Sequence, residues 1–96
     1  MTPLPLGKCV ATPGAIEAMR EAEISPSSLL DRHRSGDWGQ LDSHDRKANQ
    51  QALIDGSRVF SVYVLPATNV TVWCITESVD DQGERESTCL LLPDEY

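Results

Sequence analysis

The sequence predicts an α+β domain in which about three helices pack on a three- or four-stranded antiparallel sheet, two layers in all. Three observations carry that expectation. Residues before 56 hold helix-start signals followed by apolar side chains at helical spacing. Residues after 58 switch to short runs rich in β-branched and aromatic side chains, bounded by Pro, Asn, Asp and Gly. The 96 residues contain no linker, internal repeat or low-complexity stretch, so 1–96 reads as a single domain.

The elements follow in order. Leu6 to Ala11 is short and apolar, a strand or an extended arm. Thr12-Pro13 is a helix start: a hydroxyl to cap free N–H groups, then a proline that loses nothing in the first turn. The helix from Pro13 to about Glu23 sets Ala15, Ile16, Met19 and Ala22 on one face. Ser25-Pro26 repeats the signal for a second helix, which turns Leu29, Leu30 and His33 inward and ends at Ser35-Gly36. Gly36-Asp37-Trp38-Gly39 is a tight connection whose Trp covers the core. Asp42 caps a third helix, with Asp45 three residues on, and the helix stops at Gly56. Its expected inner face is Ala48, Ala52 and Leu53, with Asn49 beside them.

Val59 to Leu65, Val70 to Thr76 and Thr88 to Leu92 are the strands, and Pro66 and Pro93 stop two of them. Pro66 to Asn69 is short enough for a hairpin, and Asp80-Asp81-Gln82-Gly83 is the turn before the last strand. A fourth strand would come from the N-terminal segment.

Charge is unevenly spread. The net charge is −7. Residues 1–48 hold six basic and seven acidic side chains, a net of −1, while residues 49–96 hold two and eight, a net of −6. The acids from Glu77 onward are Glu77, Asp80, Asp81, Glu84, Glu86, Asp94 and Glu95, against the single base Arg85. This balance disfavours direct binding to nucleic acid, whose phosphates demand Lys and Arg. No apolar run approaches a membrane-spanning length, and the start lacks a basic region followed by an apolar one, so a cytoplasmic protein without membrane contact is expected.

Cys9, Cys74 and Cys89 form no CxxC pair and have no histidine at ligand spacing, so no metal site is expected. Cys74 and Cys89 lie in neighbouring strand runs, which leaves a cross-hairpin disulfide geometrically open, though not expected in a reducing compartment. The densest polar grouping is Asp37, Trp38, Asp42, His44, Asp45 and Asn49. A histidine near carboxylates is raw material for acid–base catalysis, so a small enzyme using His44 with Asp42 or Asp45 is one alternative. Against it, Asp42 and Asp45 already serve a helix start, no nucleophile elbow or phosphate-cradling glycine motif occurs, and no catalytic residue or cofactor is expected. Arg32-His33-Arg34 and Arg46-Lys47 read as solvated helix faces.

Several stretches carry a resemblance: Val10-Ala11-Thr12-Pro13-Gly14-Ala15, then Gly36-Asp37-Trp38-Gly39 with Asp42, Asp45 and Asn49, then Trp73-Cys74-Ile75-Thr76-Glu77, and Leu91-Leu92-Pro93-Asp94-Glu95-Tyr96. With these, nearly the whole chain resembles a family of small bacterial proteins borne on plasmids and integrative elements. Some members carry the label of restriction-system subunits. The resemblance supplies no catalytic residues. Ser78 to Ser87 departs from it, being longer and more acidic than the pattern leads one to expect between the last two strands.

A mobile-element setting implies an inhibitor of host defence, of the anti-CRISPR or anti-restriction kind. A defence complex presents a basic groove to nucleic acid, and a folded acidic surface can occupy that groove by the same salt-sensitive attraction. The expected partner is therefore a protein with a basic surface, such as a CRISPR or restriction complex. The expected contacts are Glu77, Asp80, Asp81, Glu84 and Glu86 in the loop, with Asp94 and Glu95 beside it. The remaining alternative is a regulatory interaction domain that works through an apolar patch without nucleic-acid mimicry.

Overall fold

A computed structural model describes residues 3–96. The elements run β1 (Lys8–Ala11), α1 (Pro13–Glu21), α2 (Pro26–Arg34), α3 (Ser43–Asp55), β2 (Val59–Val64), β3 (Thr71–Thr76) and β4 (Ser87–Leu91), then a 3-10 turn at Pro93–Glu95. The sheet order is β1-β4-β3-β2, and the three helices line one face of it. This is the expected α+β architecture, with one difference in the sheet. β2, β3 and β4 form an antiparallel meander, but β1 runs parallel to β4, with Val10 opposite Cys89, so the sheet is mixed. Residue periodicity is silent on strand direction. Direction is set here by connection: β1 feeds straight into α1 through Thr12, whose N–H donates to Leu90 O (3.0 Å), and α1 then lies back over the covered face.

The helix starts form as their caps dictate. Ala15 N–H donates to Thr12 Oγ1 (3.1 Å), Ser28 N–H to Ser25 Oγ (3.2 Å) and Asp45 N–H to Asp42 Oδ1 (2.8 Å). α1 stops about a turn before Ser25 because Glu23 takes a left-handed conformation (φ 57°), and Ile24 N–H closes the end on Met19 O (2.9 Å). α3 ends as expected at Gly56, in the left-handed region at φ 84°.

Two apolar clusters fill the space between the layers. Ala15, Met19, Leu29, Tyr63, Leu65, Val72, Cys74 and Leu90 form the larger under α1 and α2. Leu4, Trp38, Leu41, Ala52 and Val59 form the second under α3. Three expected inward residues are not inward: Ile16 is 51 % exposed, Leu53 is 44 % exposed, and Ala48 faces solvent. α3 leans on the rim of the sheet through Asn49 and Ala52 alone, so a helical apolar stripe overstates what it buries.

Cys74 points into the core, paired in register with Leu90, while Cys89 lies opposite Ile75 on the other face. The two thiols are on opposite sides of the sheet, and all three cysteines are free. A cross-hairpin disulfide is thereby excluded.

The free edge of β2 is covered. Val62 N–H donates to Trp38 O (3.1 Å) and Gln40 N–H to Val62 O (2.7 Å), a short bridge centred on Gly39. A Cβ at Gly39 would stand 2.0 Å from Val62 O, and its φ of 71° is a glycine conformation, so this approach requires glycine. The Gly-Asp-Trp-Gly segment thus blocks an edge that would otherwise invite another strand.

Candidate functional site

The acidic run of the sequence falls in two groups, one before β4 and one after it. Glu77, Asp80, Asp81, Glu84 and Glu86 gather on the β3–β4 connection and are all exposed or nearly so. Asp94 and Glu95 follow in the 3-10 turn, and Tyr96 after them accepts from Arg58 (3.0 Å), the guanidinium that faces Glu77. β4 intervenes, five residues or about 17 Å of extended chain.

Each acid has a different local duty. Asp80 organises the turn, since its Oδ1 accepts from Gln82 N–H (2.9 Å) and Glu84 N–H (3.0 Å). Glu77 lies 3.8 Å from the Arg58 guanidinium. Asp81, Glu84 and Glu86 carry no ion pair among the described residues. Glu95 is a structural clasp: its Oε1 accepts from Thr12 Oγ1 (2.5 Å) and from Leu92 N–H (2.8 Å), tying the end of the chain to the start of α1. The Thr12 bond and then the Leu92 N–H hold its carboxyl below the usual range.

Arg85, the one base in the run, is turned inward. It donates to Ser57 O (2.7 Å), Glu77 O (2.9 Å) and Ala52 O (3.1 Å), stapling the hairpin to the C-terminal end of α3. The Val79 N–H reinforces the staple by donating to Gly56 O (2.8 Å). This brings Asp55, at the end of α3, to the same end of the molecule as the hairpin acids. Its carboxyl is held below the usual range by Ser57, with a smaller contribution from Arg85. The sequence placed Asp55 at a helix end and gave no sign of this neighbourhood, because the contact spans 30 residues.

In the polar grouping between Asp37 and Asn49, Asp37, Asp42 and Asn49 each hold a structural partner. Asp37 takes a two-pronged contact from Arg32 (2.7 and 3.3 Å) and also accepts from Gly39 N–H (3.2 Å). Arg32 chiefly, and then the Gly39 N–H, pull its carboxyl down. Asn49 clasps the edge of β2 twice, donating to Phe60 O (2.7 Å) and accepting from Phe60 N–H (3.0 Å). Arg46 donates to Leu41 O and Gly39 O. His44 and Asp45 approach only to 3.5 Å, with the imidazole 92 % exposed. The donor atoms of Asp42, His44 and Asp45 lie within 4.8 Å of one another, but Asp42 is engaged as a cap and the group is open to solvent.

His33 belongs to a buried chain that sequence reasoning placed inward without its partners. His33 Nδ1 meets Ser61 Oγ (2.6 Å) and Nε2 meets Thr76 Oγ1 (2.9 Å); Thr76 Oγ1 meets Thr88 Oγ1 (2.6 Å), and Thr88 donates to Leu6 O (2.8 Å). A hydroxyl has one proton. Thr88 gives its proton to Leu6 O, so Thr76 donates to Thr88 and accepts from His33 Nε2–H. Nδ1 is then left to accept from Ser61. The imidazole is neutral, and burial, with a smaller push from the Arg85 charge, lowers its pKa to about 4. All four side chains are fully buried and tie α2 to the sheet.

The face of the sheet away from the helices carries Phe60, Trp73 and Ile75, with Tyr96 laid over Trp73 (5.9 Å) and Arg58 over Tyr96 (5.7 Å). No helix among the described residues is long and apolar enough to cross a membrane. Comparison with family models, curated proteins and solved structures finds no match to the chain.

Proposed function

We propose that the chain is an inhibitor that docks its acidic end into the basic nucleic-acid groove of a defence complex, of the CRISPR or restriction type, and so excludes DNA or RNA. One observation supports this reading above others. Asp55, Asp80, Asp81, Glu84 and Glu86 converge at one end, while the cation among them, Arg85, is consumed by three backbone carbonyls. That end therefore offers net negative charge on a hairpin that is stapled in place before any partner arrives. Preorganised carboxylates lose little freedom on meeting guanidinium or ammonium groups, and they steer the encounter at low salt. The mobile-element resemblance of the sequence points to the same class of partner.

The test is displacement of labelled DNA from a panel of CRISPR and restriction complexes, read by gel shift. The wild-type chain displaces DNA from its target complex, and the Asp81→Lys, Glu84→Lys, Glu86→Lys variant, which spares the turn-forming Asp80, loses this while keeping its circular dichroism spectrum. Displacement by that variant equal to wild type would falsify the reading, as would no displacement from any complex.

A second reading draws on the aromatic sheet face. Phe60, Trp73, Ile75 and Tyr96 make an apolar strip beneath no helix, suited to a protein contact without nucleic-acid mimicry. Binding through that strip would be nearly indifferent to salt.

A further inference from the structure

We propose that the cleft between the C-terminal end of α3 and the β3–β4 hairpin grips a partner segment in which aliphatic side chains are flanked by Lys or Arg. This rests on the acidic-docking reading and names the part of the partner that is held. The cleft is open to solvent, has the segment Pro3, Leu4, Pro5 and Gly7 as its third wall, and measures about 870 Å³, within the size range of pockets that take several side chains. Its apolar lining includes Leu53, Ile54 and Val79, which are 44, 80 and 38 % exposed. An isoleucine four-fifths exposed at a helix end touches little of its own chain and gains most from a partner's surface.

The lining also carries the acids Asp55 and Glu84, with Asp80 and Asp81 on the same hairpin. The last turn of α3 holds no basic side chain of its own; Arg85 reaches in from the hairpin to its carbonyl end, beside the Val79 N–H. That internal contact shows which chemistry the helix end accepts. A purely cationic segment would leave the Leu53–Ile54–Val79 floor wet. A purely aliphatic one would strip water from carboxylates without pairing them. The two demands meet in an amphipathic basic segment, whose apolar side chains enter the cleft while its cations reach the rim.

Two synthetic helical peptides of equal charge serve as probes, one built from Lys and Leu and the other from Lys and Ser. They are titrated into the whole isotopically labelled chain at low salt. The Lys/Leu peptide binds about tenfold tighter, the value of burying one aliphatic side chain, and shifts the methyl signals of Leu53, Ile54 and Val79. The variant carrying Leu53→Ser and Ile54→Ser, both at exposed positions, loses that advantage and keeps its affinity for the Lys/Ser peptide. Equal affinity for the two peptides, or methyl shifts confined to the aromatic sheet face, overturns the inference while leaving acidic docking in place. Failure of both peptides to bind at low salt removes the two together.

Discussion

Asn49 holds the edge of β2 through both of its amide atoms, so its loss leaves a partly buried N–H and C=O of Phe60 without partners. Asn49→Ala is expected to cost about 2–3 kcal/mol in urea unfolding, more than an ordinary helix-surface change. His33 makes stability depend on acid. Its folded-state pKa of about 4 lies below the unfolded value near 6.5, so the unfolded chain binds the proton more readily. The contribution is complete above about pH 6.5 and shrinks as pH falls towards 4, with about 2 kcal/mol lost by pH 5. Carboxylates with lowered pKa, such as Asp37 and Glu95, begin to act only about one pH unit above their unfolded values, so most of the loss between pH 7 and pH 5 belongs to His33. Urea midpoints at pH 7 and pH 5 check this, and equal midpoints would contradict it. The sequence showed that His33 faces inward and that Asn49 sits near the inner face. Their partners lie 11 to 43 residues away, and no local pattern encodes such distances.

The helix starts were legible because a cap is a local event. Thr12, Ser25 and Asp42 each bond an N–H three residues ahead, and the following residues carry that signal. Helix ends and faces were less legible. Glu23 ends α1 from the left-handed region, which costs a side-chain-bearing residue about 1 kcal/mol. Glu23→Gly is therefore expected to raise the unfolding free energy by up to about 1 kcal/mol, visible as a higher thermal midpoint. Ile16, Ala48 and Leu53 were assigned inward from helical spacing, yet a 9-residue helix and a helix resting on the sheet rim bury narrower stripes than their patterns offer. The direction of β1 was invisible for a related reason: alternation records which face a residue takes and not which way the strand runs.

At the scale of the whole molecule, a net charge of −7 resolves into separate features. The hairpin acids join Asp55 at one end, where Arg85 fixes their scaffold. Glu95, after β4, is a fastening, and Glu95→Ala is expected to lower the urea midpoint while leaving docking unchanged. A docking defect in a folded Glu95→Ala protein would mean that the two acidic groups act together. The sequence located the charge along the chain and could not tell a fastening acid from a free one, since that depends on Thr12, 83 residues away. The salt dependence of affinity for the defence complex whose DNA the chain displaces tests the docking claim most directly. Raising salt from 50 to 300 mM is expected to weaken wild-type binding by tenfold or more, and the Asp81→Lys, Glu84→Lys, Glu86→Lys variant is expected to bind at neither concentration. An affinity unchanged across that range would contradict the docking claim.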